Sequence, residues 1–411
     1  MNLTASRKDA IYFFTLVLFT SSYIVDLPAG IGIAYIILLL ASLVICYVAY
    51  DFYHKISIKL SGLEIFFSLF VLFCMMSCKW AVNPSYSISR CKGMVESLII
   101  VFVLYTVHYR DDNADSLLKA IMIGYYIVVG YVLIKYGVVN TVSLITNGER
   151  IPNFILNSNV LGACSAYSLL LTAHYIFKRE RHFWYVFSIV PIAGLVVSGS
   201  RKAIIIIVIG VMVYFSLIQL GAKRGAAIVN VIASVIALGV LIYLLSKLSV
   251  FSGVNDRIVQ MINGLVGHGG TDSSTITRMR LKQVGFELVS KNWLKGVGID
   301  NPGLFGGAAF QREYYYLHDN FLELLAGVGV IGFVLYYMPY IIVLIRYIKY
   351  RNFKDREYNI CVTLLIVWLI MDYGIVTYSY IGTYFFLLAF WIESEKLKRI
   401  HCNDALTRGK I

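Results

Sequence analysis

The sequence predicts an all-α, polytopic integral membrane protein, and three observations predict it. Hydrophobic residues make up 59% of the 411. Charged residues make up only 14%, against about 25% in soluble domains. Apolar runs of bilayer-crossing length, about 17–25 residues, recur along the chain between short polar turns. Continuous runs such as IILLLASLVICYVAY lack the alternation that a closed barrel needs, so the spans are read as helices.

The first apolar run, AIYFFTLVLFTSSYIV, has no small-residue cleavage site and leads directly into the next, so it reads as a first span and not as a cleaved signal. Further spans are expected at Gly30–Tyr50, Leu63–Cys78, Val95–Tyr109, Leu118–Val138, Val160–Phe177, Trp184–Val197 and Lys202–Leu220. The last are expected at Ala226–Leu248, Asn320–Ile345, Asn359–Thr377 and Tyr380–Ile392. With Ala10–Val25 this makes about twelve spans by length and hydropathy. The expected organisation is a transmembrane bundle over residues 1–248, a long outer loop over 249–319, and C-terminal helices with a cytoplasmic tail over 320–411.

Lys and Arg set the orientation. SRK, HKISIK, FKRERH, GAKRG, RYIKYRNFKDR and EKLKRI are short and dense in positive charge, and all fall on one side if both termini are cytoplasmic. The formal charge of +13 is therefore largely an orientation signal and not a nucleic-acid footprint. Three outer segments depart from the pattern: KWAVNPSYSISRCKG, the turn SGSRKA, and the long loop with Arg257, Arg278, Arg280, Lys282, Lys291, Lys295 and Arg312. Long loops are exempt from the positive-inside bias, so their charge is available for function.

Within that loop, GGTDSSTITRMRLKQVGFELVSKNW reads as a capped helix. Asp272, Ser273 and Ser274 offer cap oxygens, and Leu281, Val284 and Leu288 form an apolar stripe. Arg278 and Lys282, four apart, share a face, and such a helix can lie along a membrane surface. LKGVGIDNPGLFGG follows and reads as a flexible connector; it has no phosphate-loop or dinucleotide spacing. His318 then precedes the run from Asn320, at the positive end of a helix dipole. That field favours the neutral imidazole a general base needs and attracts anions. Arg201 starts another outward-facing helix, and two such ends with several arginines point to a phosphate-bearing ligand. The plainer alternative is an interfacial histidine with snorkelling arginines. Cys78 and Cys91 both fall near the outer face, where a disulfide is conceivable; the other cysteines read as small apolar residues.

SGSRKA, TRMRLKQVGFELVSKNWLKGVG and HDNFLELLAGVGVIG, in that order, resemble the signatures of the bacterial O-antigen ligase and polymerase superfamily. KWAVNPSYSISRCKG resembles the family's first long outer loop. The resemblance implies a GT-C-like glycosyltransferase of the inner membrane with its active site facing the periplasm, acting on a glycan carried by undecaprenyl pyrophosphate. It implies that Arg201 and Arg278 hold the pyrophosphate, with Arg280 as the alternative register, and that His318 deprotonates the acceptor hydroxyl for an inverting attack. The family's usual aromatic residue a few positions after that arginine is replaced here by Lys282. Arginine can stabilise a pyrophosphate leaving group without a general acid. The outer loops carry no Asp-x-Asp and no compact His/Asp/Glu cluster, so neither a metal nor another cofactor is required. Expected partners are the lipid-linked donor, a glycan acceptor and membrane lipid, with a chain-length regulator and a flippase as neighbours. Polymerisation of repeat units is the first reading and ligation to lipid A–core the second. A transporter or flippase is the third, weakened because Glu96, Glu323 and Asp372 are placed nearer span ends than midpoints.

Overall fold

A computed structural model describes residues 12–21, 60–109, 114–153, 155–178, 184–222 and 273–407. Every regular element among them is a helix. Named in chain order, apart from a single helical turn at Trp184–Phe187, these are α1 (Tyr12–Ser21), α2 (Gly62–Ser77), α3 (Pro84–Tyr109), α4 (Ala114–Tyr136), α5 (Val138–Asn147), α6 (Ser158–Phe177), α7 (Ile189–Ser198) and α8 (Arg201–Ala222). After them come α9 (Ser273–Asn292), α10 (Pro302–Ala309), α11 (Asn320–Lys349), α12 (Arg356–Asp372) and α13 (Ile381–Thr407). Among the described residues, four stretches are long and apolar enough to cross a membrane: α4, α6, Arg201–Gly221 of α8, and α11. The expected spans Gly30–Tyr50 and Ala226–Leu248 lie outside the described residues.

Three boundaries differ from the sequence reading by more than four residues, each for a local reason. α3 begins at Pro84, well before Val95, because proline is pre-set for a first helical turn. Two thirds of the expected loop KWAVNPSYSISRCKG is therefore helical. α12 stops at Asp372 and not at Thr377. There the Asp372 carboxylate accepts hydrogen bonds from the hydroxyls of Thr377 and Tyr337, which ties the chain into a turn. α13 continues past Ile392 to Thr407, since the polar run after the apolar one is rich in Glu and Lys, both good helix formers.

The chain divides into two units, each assembled from three separated stretches: Met1–Lys55, Asn113–Ile262 and Arg351–Val367 in the first, and Ile56–Asp112, Asn263–Tyr350 and Trp368–Ile411 in the second. In the first unit α6 is the central helix, packed by α4, α7 and α8. In the second, α11 packs on α2, α9 and α13.

The glycine-rich segment after α9 is not a loose connector. It docks backbone to backbone on a break in α11, where Gly329 adopts φ 61, ψ −171. The amides of Val297 and Gly298 donate to the carbonyls of Ala326 (2.9 Å) and Gly327 (2.8 Å), and Val330 donates back to Trp293 (2.9 Å). A Cβ on Gly296 would lie 2.3 Å from the Gly327 carbonyl, and one on Gly329 would lie 2.3 Å from that of Leu294. Glycines in both GVG triplets thus allow two backbones to meet, and the carbonyls freed by the kink find loop amides as partners.

Candidate functional site

In the second unit the expected stripe of α9 is present. Leu281 and Leu288 are buried against Leu317, Leu322 and Ala326, with Val284 packed alongside. The leucines on either side of the His318–Asp319 turn are therefore gripped by the helix that carries the arginines. Gly285 lets them approach: a Cβ there would sit 2.5 Å from the Leu322 side chain and 2.9 Å from that of Leu317.

His318 itself adopts φ +59. A left-handed conformation at a non-glycine residue costs about 1–3 kcal/mol and persists only where the surroundings enforce it. Here two carboxylates enforce it. Glu323, buried in the first turn of α11, accepts the Leu317 amide at 2.7 Å. Asp319 caps α11 by accepting the Leu322 amide at 3.1 Å. The positive end of α11 is therefore shared with two resident carboxylates and is not left wholly to a ligand. Asn320, fully buried, donates to the Tyr337 hydroxyl (2.8 Å) and to Asp372 (3.3 Å) and accepts the amides of Thr377 (2.8 Å) and Tyr378 (3.0 Å). The run His318-Asp319-Asn320 is thus one half-buried imidazole followed by two anchors.

Aromatic rings surround the imidazole. The Tyr316 ring lies 4.1 Å from it by centroids and the Tyr315 ring 5.4 Å, nearly perpendicular. Burial pushes the Tyr316 phenol up to about 12, against a downward pull from nearby Arg278. Tyr316 therefore stays protonated at neutral pH; its ring touches His318, and Arg278 lies within electrostatic reach of it. Arg280 points elsewhere, its guanidinium 5.1 Å from the Phe310 ring, within cation–π range. Lys282 pairs with Asp319 (2.9 Å) and stands 3.2 Å over the Tyr373 ring.

The loop before this turn is clamped by residues that sequence reasoning did not single out. Asp300, also at positive φ, accepts from Arg90 (3.1 Å), Tyr314 (2.8 Å) and Tyr378 (3.3 Å). The buried Asn301 side chain bonds to the backbone of Asn83 and to Ser87. Asp300 and Asp319 do not act as a pair; each has its own cationic partner. Cys78 and Cys91 stand with their Sγ atoms 4.0 Å apart, as thiols.

In the first unit, Arg201 opens α8 as expected, directly after a turn made by Gly199 in the left-handed region. Arg150 fixes that turn. Its Nε donates to the Ser198 carbonyl (2.8 Å) and its Nη2 to the Asn159 side chain (3.0 Å), which also accepts from Ser200 (3.2 Å). Arg150 lies in none of the segments marked by their charge, so only its proximity in the fold reveals it. Arg278, Arg280 and His318 share the second unit and Arg201 belongs to the first. His268, the other histidine of the expected outer loop, lies outside the described residues.

One group in the first unit offers metal-ligand chemistry. Ligand atoms of Asp115, His174 and Glu357 lie within 4.8 Å of one another. The Lys178 ammonium binds both carboxylates, at 3.2 Å to Asp115 and closely to Glu357, and Lys119 adds a second cation on Asp115 (2.8 Å). The negative charge a metal would answer is already answered, so the cluster reads as an ion-pair network.

Residues 158–337 match the family model described as O-antigen ligase, which bears out the resemblance to the O-antigen ligase and polymerase superfamily. The matched segment contains Arg201, Arg278, Arg280 and His318. No curated protein sequence matches the chain. With its apolar helices, the family domain makes this an integral membrane protein.

Proposed function

We propose that this chain, whose residues 158–337 carry the O-antigen ligase family domain, is a metal-independent, inverting glycosyltransferase. It polymerises repeat units carried on undecaprenyl pyrophosphate, in an inner membrane, with the reacting groups on the periplasmic side and a GT-C-like arrangement of about twelve spans. The observation that carries this reading is the enforced left-handed turn at His318, with the Tyr316 ring beside it and Arg278 within electrostatic reach of Tyr316. Backbone strain of this kind clusters at active sites, where it positions reactive groups.

In this reading the His318 imidazole takes the proton of the acceptor hydroxyl. The oxygen attacks the anomeric carbon of the donor sugar, and the bond to the pyrophosphate breaks with its electron pair leaving on phosphate oxygen. Arg278 and Arg201 stabilise that charge as it develops. Arg280 is held by Phe310 and contributes little. The match to a family described by its ligases favours a second reading, transfer of a finished glycan to lipid A–core by the same steps with a different acceptor. A transporter role has no comparable observation behind it.

The test is reconstitution of the purified protein with lipid-linked repeat units, with and without lipid A–core. A ladder of glycans without core, with undecaprenyl pyrophosphate released, supports polymerisation. Product only when core is present establishes ligation instead. Neither product, with intact folded protein, overturns the enzyme reading.

A further inference from the structure

We propose that Lys282 is a positioning residue that holds the arginine helix α9 to the His318–Asp319 turn; this rests on the glycosyltransferase reading above. The superfamily resemblance leads one to expect an aromatic residue here, and the lysine does something an aromatic ring cannot. Its ammonium serves two partners from two different elements. It lies 2.9 Å from Oδ2 of Asp319 and 3.2 Å from the centroid of Tyr373, in the connection between α12 and α13.

The pair is well sheltered, with the lysine side chain 20% exposed and the aspartate 6%. The other carboxylate oxygen, Oδ1, is committed to the Leu322 amide, so Asp319 is fixed from both sides. His318 is the next residue back along the chain. Its backbone is bounded by Asp319 on one side and by the Leu317 amide, bonded to Glu323, on the other. Losing the lysine frees one of these two restraints and leaves a buried carboxylate without its cation. Lys282 is also one turn from Arg278 on the same face of α9. One ammonium therefore ties the helix bearing Arg278 to the turn bearing His318, and sets how far apart their side chains stand. It touches no reacting atom in this arrangement.

The experiment compares the full-length parent with Lys282→Met, which keeps most of the stem and removes the charge, Lys282→Arg, Asp319→Asn and the double variant, all in lipid discs. Lipid-linked repeat units are the probe, and melting is followed in parallel. A displacement of about 1 Å at reacting groups costs up to about 100-fold in rate. The expected result is a kcat for Lys282→Met lower by about 10- to 100-fold, a KM for the lipid-linked donor within about twofold of the parent's, and substantial recovery in Lys282→Arg. The double variant should be no worse than the poorer single one. A parent-like kcat in a folded Lys282→Met overturns the proposal. So does a raised KM with kcat intact, which would make Lys282 a donor contact. If Lys282→Met fails to fold, Lys282→Arg and Asp319→Asn decide: full activity in both overturns it. The reading it rests on fails separately, if the parent forms no product or His318→Ala is fully active.

Discussion

Two lysines in this protein are held by carboxylates in similar ways, and their surroundings differ. Lys178, at the C-terminal cap of α6, links Asp115 at the start of α4 to Glu357 at the start of α12. The helices it joins are regular, and the pair closes their ends as a staple. Lys282 bonds a single carboxylate, rests its remaining charge on an aromatic face, and stands next to a residue in a strained backbone conformation. The same ion-pair chemistry therefore serves stability in one place and preorganisation in the other. The distinction is visible in the neighbours and not in the pair itself.

The sharpest way to break this comparison is His318→Ala. General-base removal costs about 10²–10⁴-fold, so lipid-linked single repeats should accumulate and long chains vanish from a glycan gel, with the protein still folded. Long chains from this variant would reduce the strained turn to a structural detail. A smaller effect separates the two arginines of TRMR. Arg278→Lys should lower product formation by about 10-fold or more, because lysine lacks the guanidinium fork, while Arg280→Lys should stay within about threefold. The reverse ranking in the reconstituted assay would exchange their roles.

The first-unit lysine should behave differently. Lys178→Met should lower stability by about 1–2 kcal/mol, allowing for partial solvent screening, and leave kcat per folded molecule unchanged. A denaturation midpoint read beside activity checks both halves. Its pH dependence follows from Glu357. Burial alone would raise this carboxyl, but the hydrogen bond and charge of Lys178 hold it down at about 2 instead of 4.5. A lowered carboxyl pKa contributes stability that is complete above the unfolded value and is lost as pH falls toward the folded one. The melting advantage of the parent over Glu357→Gln should therefore be full at neutral pH and shrink between about pH 4.5 and 2. The smallest expected effect is that of His268→Ala, within about twofold in rate, because the assigned base is His318. A large loss there would move the base assignment.

Much of this was legible in the sequence, and the parts that were not share a cause. Apolar length located α4, α6, α8 and α11, because burial in lipid leaves a signal in every residue of a span. The stripe of Leu281, Val284 and Leu288 on α9 was legible because helical spacing gathers the residues it buries against Leu317 and Leu322. The His318-Asp319-Asn320 run was conspicuous as polar residues at an apolar boundary. The sequence could not show that Asp319 and Asn320 are anchors, since their partners Lys282, Asp372 and Thr377 are distant along the chain. The partners of Arg90, Arg150 and Asp300 were invisible for the same reason: each is defined by a hydrogen bond across many residues, and no local pattern marks it. The glycine-rich segment was misread as a loose connector because a lack of side chains suggests freedom. The partner that removes that freedom is another glycine-bearing backbone.

That docking has a consequence for hydrogen exchange. The amides of Val297 and Gly298 belong to a loop but donate into the broken turn of α11. They can exchange with solvent only when that turn lets them go. They should accordingly be protected to nearly the same degree as amides of α11 itself, while the amide of the exposed Glu313 nearby exchanges fast. Deuterium uptake by peptides covering 293–300 and 326–332 should rise together, as one cooperative unit, and a Gly296→Ala protein should lose protection in both at once.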